Sequence, residues 1–234
     1  MKIAAWSGPR NLSTAMMYSF GSRQDTEISD EPFYAAYLYA TGLEHPMRTD
    51  ILKSQPHNPG EITAKLMGAI PNGKTVWYQK LICNHMIEGI SLEWAKEYKN
   101  IFIIRHPTRV IASYAQKREN PDLNDIGFVQ QAMIYEKLGG LVIESADILS
   151  NPKRALQIIC AGIDLSFDSN MLSWPKGGNK KEGIWASHWY NGAHASTSFS
   201  TAESQIPKLN KKLTKLQDEA MPFYEKLLKH KLDI

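Results

Sequence analysis

The sequence predicts an α/β protein with a central, mostly parallel β-sheet and helices layered on both of its faces. Two observations predict it. Short, uniformly apolar runs recur along the chain, the clearest within "NIFIIRHP" at 100–107, and such runs fit strands buried on both faces. Longer segments of helical periodicity lie between them, as the crossovers of a parallel sheet require. At 234 residues the chain suffices for one well-buried core, so a single domain is expected over 1–234.

The elements follow in order. Ile3–Trp6 reads as the first strand, and Ser13 to Gly21 as the helix after a Gly-Pro turn. Thr26–Ser29 is a second strand, followed by a helix over Phe33–Thr41, and Lys74–Tyr78 is a third strand. Ile101–Ile104 and Leu141–Glu144 complete the set. Between those two, Asp122–Leu138 reads as helix interrupted near Gly127, and Pro152–Ala161 as a helix capped by Asn151. Residues 174–201 fit neither period; their tryptophans argue against disorder, and a loop this long in a compact domain is usually functional. A C-terminal amphipathic helix is expected at about 203–230 from Ile206, Leu209, Leu213, Leu216 and Phe223, with a kink or break at Pro222. Its apolar face suits packing on its own domain, with a dimer seam as the alternative, so a monomer or homodimer is expected.

Composition narrows the class. Hydrophobic residues make up 43% and charged residues 22%, ordinary for a globular protein. A net charge of +3 gives no case for a nucleic-acid partner yet does not repel an anionic ligand. Cys83 and Cys160 form neither a disulfide framework nor a metal cluster, which suits a reducing cytosol. No run approaches the ~20 apolar residues of a membrane span, and residues 1–6 are too short for a signal-peptide core. A soluble cytoplasmic protein without membrane partners is expected.

The segment "AAWSGPRNLSTAMM" at 4–17 carries the first chemical signal. A strand, a tight turn and a helix N-terminus aim free backbone N–H groups at an anion. Gly8 and Pro9 make the turn, Arg10 adds charge, and Ser13 and Thr14 offer hydroxyls; Ser13 also reads as a plain N-cap. A nucleotide hydrolase would place a second glycine and a lysine here, and an acidic metal ligand at the end of a later strand. The strand at 101–104 ends instead in Arg105-His106. A cation there attracts phosphate and repels Mg²⁺, so no metal is expected. Ser113, eight positions after Arg105 on the following helix, completes a second phosphate clamp.

Together these segments resemble the nucleotide site of sulfotransferases that use 3′-phosphoadenosine 5′-phosphosulfate (PAPS). "PRNLST" at 9–14 resembles the family's P-[KR]-S-G-T-T loop, with Asn11-Leu12 in place of Ser-Gly. "FIIRHPTRVIASY" at 102–114 resembles its 3′-phosphate motif, and "ADILSNPKRALQIICAGIDL" at 146–165 a segment near its C-terminal end. The stretch around "NKKEGIWASHW" resembles the closing loop, placed at about 174–201. The resemblance implies a P-loop-type fold and transfer of a sulfuryl group from PAPS to a hydroxyl or amine of a small acceptor. It places Arg10, Asn11, Leu12, Ser13 and Thr14 on the 5′-phosphosulfate, Arg105 and Ser113 on the 3′-phosphate, and Lys180 and Lys181 as further contacts. Trp174, Trp185 and Trp189 stack on adenine, wall the acceptor pocket or pack in the core.

An acceptor hydroxyl needs a base. Glu31 follows the second strand, as the catalytic glutamate does in the carbohydrate-modifying branch of that family. His85 lies past the third strand, with Lys80 nearby to polarise the bridging oxygen, and His188 sits in the closing loop. The resemblance does not choose among them, since no Thr-His pair follows the third strand. Two other readings stand beside transfer: a nucleotide-binding protein of this fold without activity, and a P-loop kinase or hydrolase.

Overall fold

A computed structural model describes residues 1–202 and 205–234. Its sheet holds five strands, β1 (Lys2–Ser7), β2 (Thr26–Asp30), β3 (Val76–Ile82), β4 (Lys99–Ile104) and β5 (Leu141–Glu144), in the order β2-β3-β1-β4-β5. Every pairing is parallel. The expected strands are all present, with one shifted: β3 starts at Val76 and runs to Ile82. Its second half contains Gln79 and Lys80, both buried, and these polar residues masked the apolar run that would have marked it as strand.

Side-chain alternation along each strand divides the core into two layers. Ile3, Ala5, Ile101, Ile103 and Ile143 face one layer. That layer also takes Met16, Met17 and Phe20 of α1 (Ser13–Gly21), Tyr34 and Leu38 of α2 (Tyr34–Thr41) and Ile51 of α3 (Arg48–Ser54). Ala4, Trp6, Phe102, Ile104 and Val142 face the other. There they meet Ile62 and Leu66 of α4 (Pro59–Met67), Val110 and Ile111 of α5 (Pro107–Tyr114), and the helices α6 (Leu123–Ile126) and α7 (Phe128–Leu138). Helices α8 (Ser145–Ser150) and α9 (Pro152–Gly162) return to the first layer, and Asn151 caps α9 through Arg154 N–H at 3.1 Å. The interruption at Gly127 is real: its φ of 72° ends α6 and starts α7.

Residues 174–201 carry two short helices, α10 (Ala186–Trp189) and α11 (Asn191–Ala195), and a bridge between Ser173 and Ser198. The expected start of the last helix near 203 lies outside the described residues. Helix α12 covers Lys211–Leu228, so Ile206 stands outside it, exposed. It continues through Pro222 without the expected break. Its buried residues Leu216, Ala220, Tyr224 and Leu227 join the second core layer, so its apolar face is covered by its own domain.

Candidate active site

Ligands of open parallel sheets collect beyond the C-terminal strand ends, where the strand order reverses. Here that point lies between β1 and β4. A cavity of about 460 Å³ opens there, lined from the loops after β1, β2, β3 and β4 and by the segment around Trp189. No helix of the described residues is long and apolar enough to cross a membrane.

The loop after β1 is held in an unusual shape. Arg10 and Leu12 both adopt left-handed backbone, with φ of 65° and 70°, a conformation that non-glycine residues adopt at an energetic penalty. Leu12, rather than Ser13, occupies the N-cap of α1 and offers no side-chain cap. The first N–H groups of α1 therefore lack helical acceptors and open toward the cavity, which Leu12, Ser13 and Thr14 line. Asn11 turns away from it: its Nδ2 donates to Ile103 O at 3.2 Å and ties the loop to β4.

The two arginines meet. Arg105 Nη1 donates to Arg10 O at 2.7 Å, while Arg10 Nε donates to Ser113 Oγ at 2.9 Å and its Nη1 to Trp189 O at 3.4 Å. Burial, and then the neighbouring Arg105 charge, lower the Arg10 pKa. Both arginines line the cavity and give this wall positive charge, which suits an anionic ligand.

Across the cavity stands a buried charge cluster at the ends of β2 and β3. Lys80 Nζ donates to Asp30 Oδ1 at 2.9 Å, to Glu31 Oε1 at 2.6 Å and to the Tyr190 hydroxyl. An ammonium has three donors, so all of Lys80's are committed; none remains for a bridging oxygen as expected. Burial lowers the Lys80 pKa, but Asp30 and Glu31 outweigh it and hold Lys80 as an ammonium. Glu31 is left-handed, with φ of 43°. It is fixed by its N–H to Lys80 O at 3.0 Å and by Gln55 Nε2 to its own O at 3.2 Å. Its Oε1 takes bonds from Lys80 and Tyr190, whereas Oε2 takes none among the described residues.

His85 also lines the cavity, stacked between Tyr34 at 4.6 Å and Tyr37 at 4.9 Å. Burial, reinforced by His45 and Lys80, holds its pKa well below the usual imidazole value. His188 is not among the lining residues. Neither are Lys180 and Lys181; both are exposed, and the Lys181 ammonium is paired with Glu27. Trp174 and Trp185 belong to the core, and only Trp189 of the three tryptophans reaches the cavity. Sequence reasoning missed Tyr190, His45, Asn84 and Tyr114 as lining residues; the one local hint was the unbroken "HWY" inside an aperiodic stretch.

A family profile described as a sulfotransferase domain matches residues 1–231. The chain belongs to the sulfotransferase domain family. Among solved structures, a sulfotransferase from Alicyclobacillus acidocaldarius superposes with a TM-score of 0.59 at 13% identity, covering 99% of this chain and 96% of that one. The sulfotransferase domain of the Synechococcus PCC 7002 olefin synthase gives 0.56 at 16% identity, covering 94% of each. At such identities these neighbours establish the sulfotransferase fold. A curated relative, branched-chain-amino-acid aminotransferase-like protein 1 of Arabidopsis thaliana, is 32% identical over 97% of this chain. This chain spans 42% of that plant protein's length.

Proposed function

We propose that this sulfotransferase-family protein transfers the sulfuryl group of PAPS to a hydroxyl or amine of a small acceptor. The observation that carries the reading is that Arg10, Arg105 and Glu31 line one cavity, with Arg105 bonded to the Arg10 backbone. The cationic wall suits a nucleotide carrying several phosphate-like groups, which supports PAPS as the donor substrate. Arg10, Leu12, Ser13 and Thr14, with the N–H groups opening α1, hold the 5′-phosphosulfate. Arg105 holds the 3′-phosphate, and Ser113 keeps Arg10 oriented. Asn11 serves by fastening the loop to β4.

Sulfuryl transfer resembles phosphoryl transfer in its loose, in-line displacement, with charge gathering on the leaving phosphate oxygens. Arg10 and the α1 N–H groups stand where that charge can be met by fixed donors. On the opposite side Glu31 Oε2 accepts the proton of the attacking hydroxyl or amine. Lys80 holds the other oxygen of Glu31, and His85, neutral and sandwiched by tyrosines, forms part of the acceptor wall. The contacts of Lys180 and Lys181 form no part of this reading, since Lys181 is committed to Glu27. The aminotransferase-like name belongs to a much longer plant protein and is not carried to this chain.

The test is calorimetry with PAPS and adenosine 3′,5′-bisphosphate, then an assay of transfer across alcohols, phenols and amines. Arg10→Ala should keep the fold and lower turnover by ~10²-fold or more, the scale of losing one transition-state donor. Unchanged turnover in that variant would sink the assignment.

A further inference from the structure

We infer that Tyr190 is a positioning residue whose hydroxyl, brought in by the segment from Gly183 to Tyr190, fixes Glu31 as the proton acceptor. The inference rests on the transfer reading above and adds the group that completes its base. Tyr190 is buried, and its hydroxyl lies 2.8 Å from Glu31 Oε1, 2.9 and 3.1 Å from the Asp30 oxygens, and 3.1 Å from Trp185 Nε1. A phenol has one proton to give and two lone pairs to fill. Here Lys80 and Trp185 donate to it, so its own proton goes to a carboxylate, and Glu31 Oε1 at 2.8 Å is the nearest of the three acceptor oxygens.

The hydroxyl therefore joins a base just after β2 and a lysine on β3 to a segment 159 and 110 residues further along the chain. The same segment is fastened at its other end by Gly183 N–H to Asp30 Oδ2 at 3.1 Å, with Trp185 buried between the two anchors. Lys80 Nζ also sits 4.4 Å from the centre of the Tyr190 ring, so ring and hydroxyl make separable contacts. In this arrangement Glu31 Oε1 is engaged by Lys80 and Tyr190, and Oε2, with no donor among the described residues, is the oxygen assigned to take the proton. The charged and titratable groups around Glu31 are Lys80 of β3, Asp30 of β2, Tyr34 of α2 and Tyr190 itself.

Tyr190→Phe keeps the ring beside Lys80 and removes only the hydroxyl. A donor to a carboxylate favours its charged form, so its loss makes the base harder to ionise. The acid limb of the pH–rate profile should then move to higher pH by about one unit, with turnover lowered. Affinity for adenosine 3′,5′-bisphosphate should stay within about twofold, because Tyr190 contacts neither arginine. An unmoved acid limb, or a loss confined to bisphosphate affinity, overturns the inference. A second readout needs no turnover: ¹³Cδ-glutamate NMR of the whole chain at fixed pH, with Glu31→Gln assigning the resonance. The Glu31 signal should shift in Tyr190→Phe while that of Glu61 does not; an unshifted Glu31 signal overturns the inference. If the wild type fails to transfer from PAPS while the signal shifts, the functional reading falls and the positioning role stands.

Discussion

His45 shows what the cavity does to a single side chain. Its Nδ1 lies 2.8 Å from the Tyr34 hydroxyl, and its ring meets Tyr34 and Tyr37 edge-on. Burial, with a smaller push from Arg118, lowers its pKa from 6.5 to about 4. Between those values the unfolded chain binds the proton and the folded chain does not. Stability therefore rises with pH through that window, is fully present above about pH 6.5, and is lost as pH falls toward 4. His85 acts in the same direction. His45→Gln should lose less stability than wild type between pH 7 and 5, read as urea midpoints; equal losses would show that His45 does not carry the effect. Its burial was hard to read from sequence, because His45 stands in a loop of no helical or strand period. Arg10 and Arg105 were legible as cavity-lining positions, since each stands where an apolar run gives way to a helix, and Ser113 followed from its spacing along the second of those helices. Tyr190 and Asp30 meet only through the fold, and no spacing rule links position 190 to position 30.

At the scale of elements, the donor loop depends on a close crossing. A Cβ built on Gly8 would stand 2.7 Å from Ile126 O, a backbone atom that cannot swing aside. Gly127, left-handed at φ 72°, lets α6 and α7 bend around that contact. Gly8→Ala should therefore push the β1–α1 loop off α6. We expect a stability loss of ~1–3 kcal/mol together with weaker bisphosphate binding, measured by urea melts and calorimetry. Wild-type values for both would mean that the crossing has slack. The strands and α1 were legible because buried parallel strands are uniformly apolar. Helices α3 and α4 went unread: between them they bury only Ile51, Ile62 and Leu66, too sparse a pattern to announce a helix. Pro222 misled for a different reason. It lies on the exposed side of α12, and so does Asp218, whose carbonyl loses its helical donor and can turn to water.

For the whole molecule, the cavity matters because it draws its walls from loops on both sides of β1 and from the segment that crosses them. A ligand that bridges Arg10 and Arg105 thus binds only when both halves of the sheet are folded together, and its binding energy becomes folding energy. At a hundred times its dissociation constant, adenosine 3′,5′-bisphosphate should add ~2.7 kcal/mol to global stability, a rise of several degrees in Tm for a chain of this size. The two phosphates can be separated by ligand choice. If Arg105 serves the 3′-phosphate, Arg105→Ala should lose most of the Tm gain with the bisphosphate and keep it with adenosine 5′-phosphosulfate, which lacks that group. Arg10→Ala should diminish the gain with both. Equal losses for the two ligands in Arg105→Ala would remove its 3′-phosphate role, since a general weakening of the cationic wall does not discriminate between them.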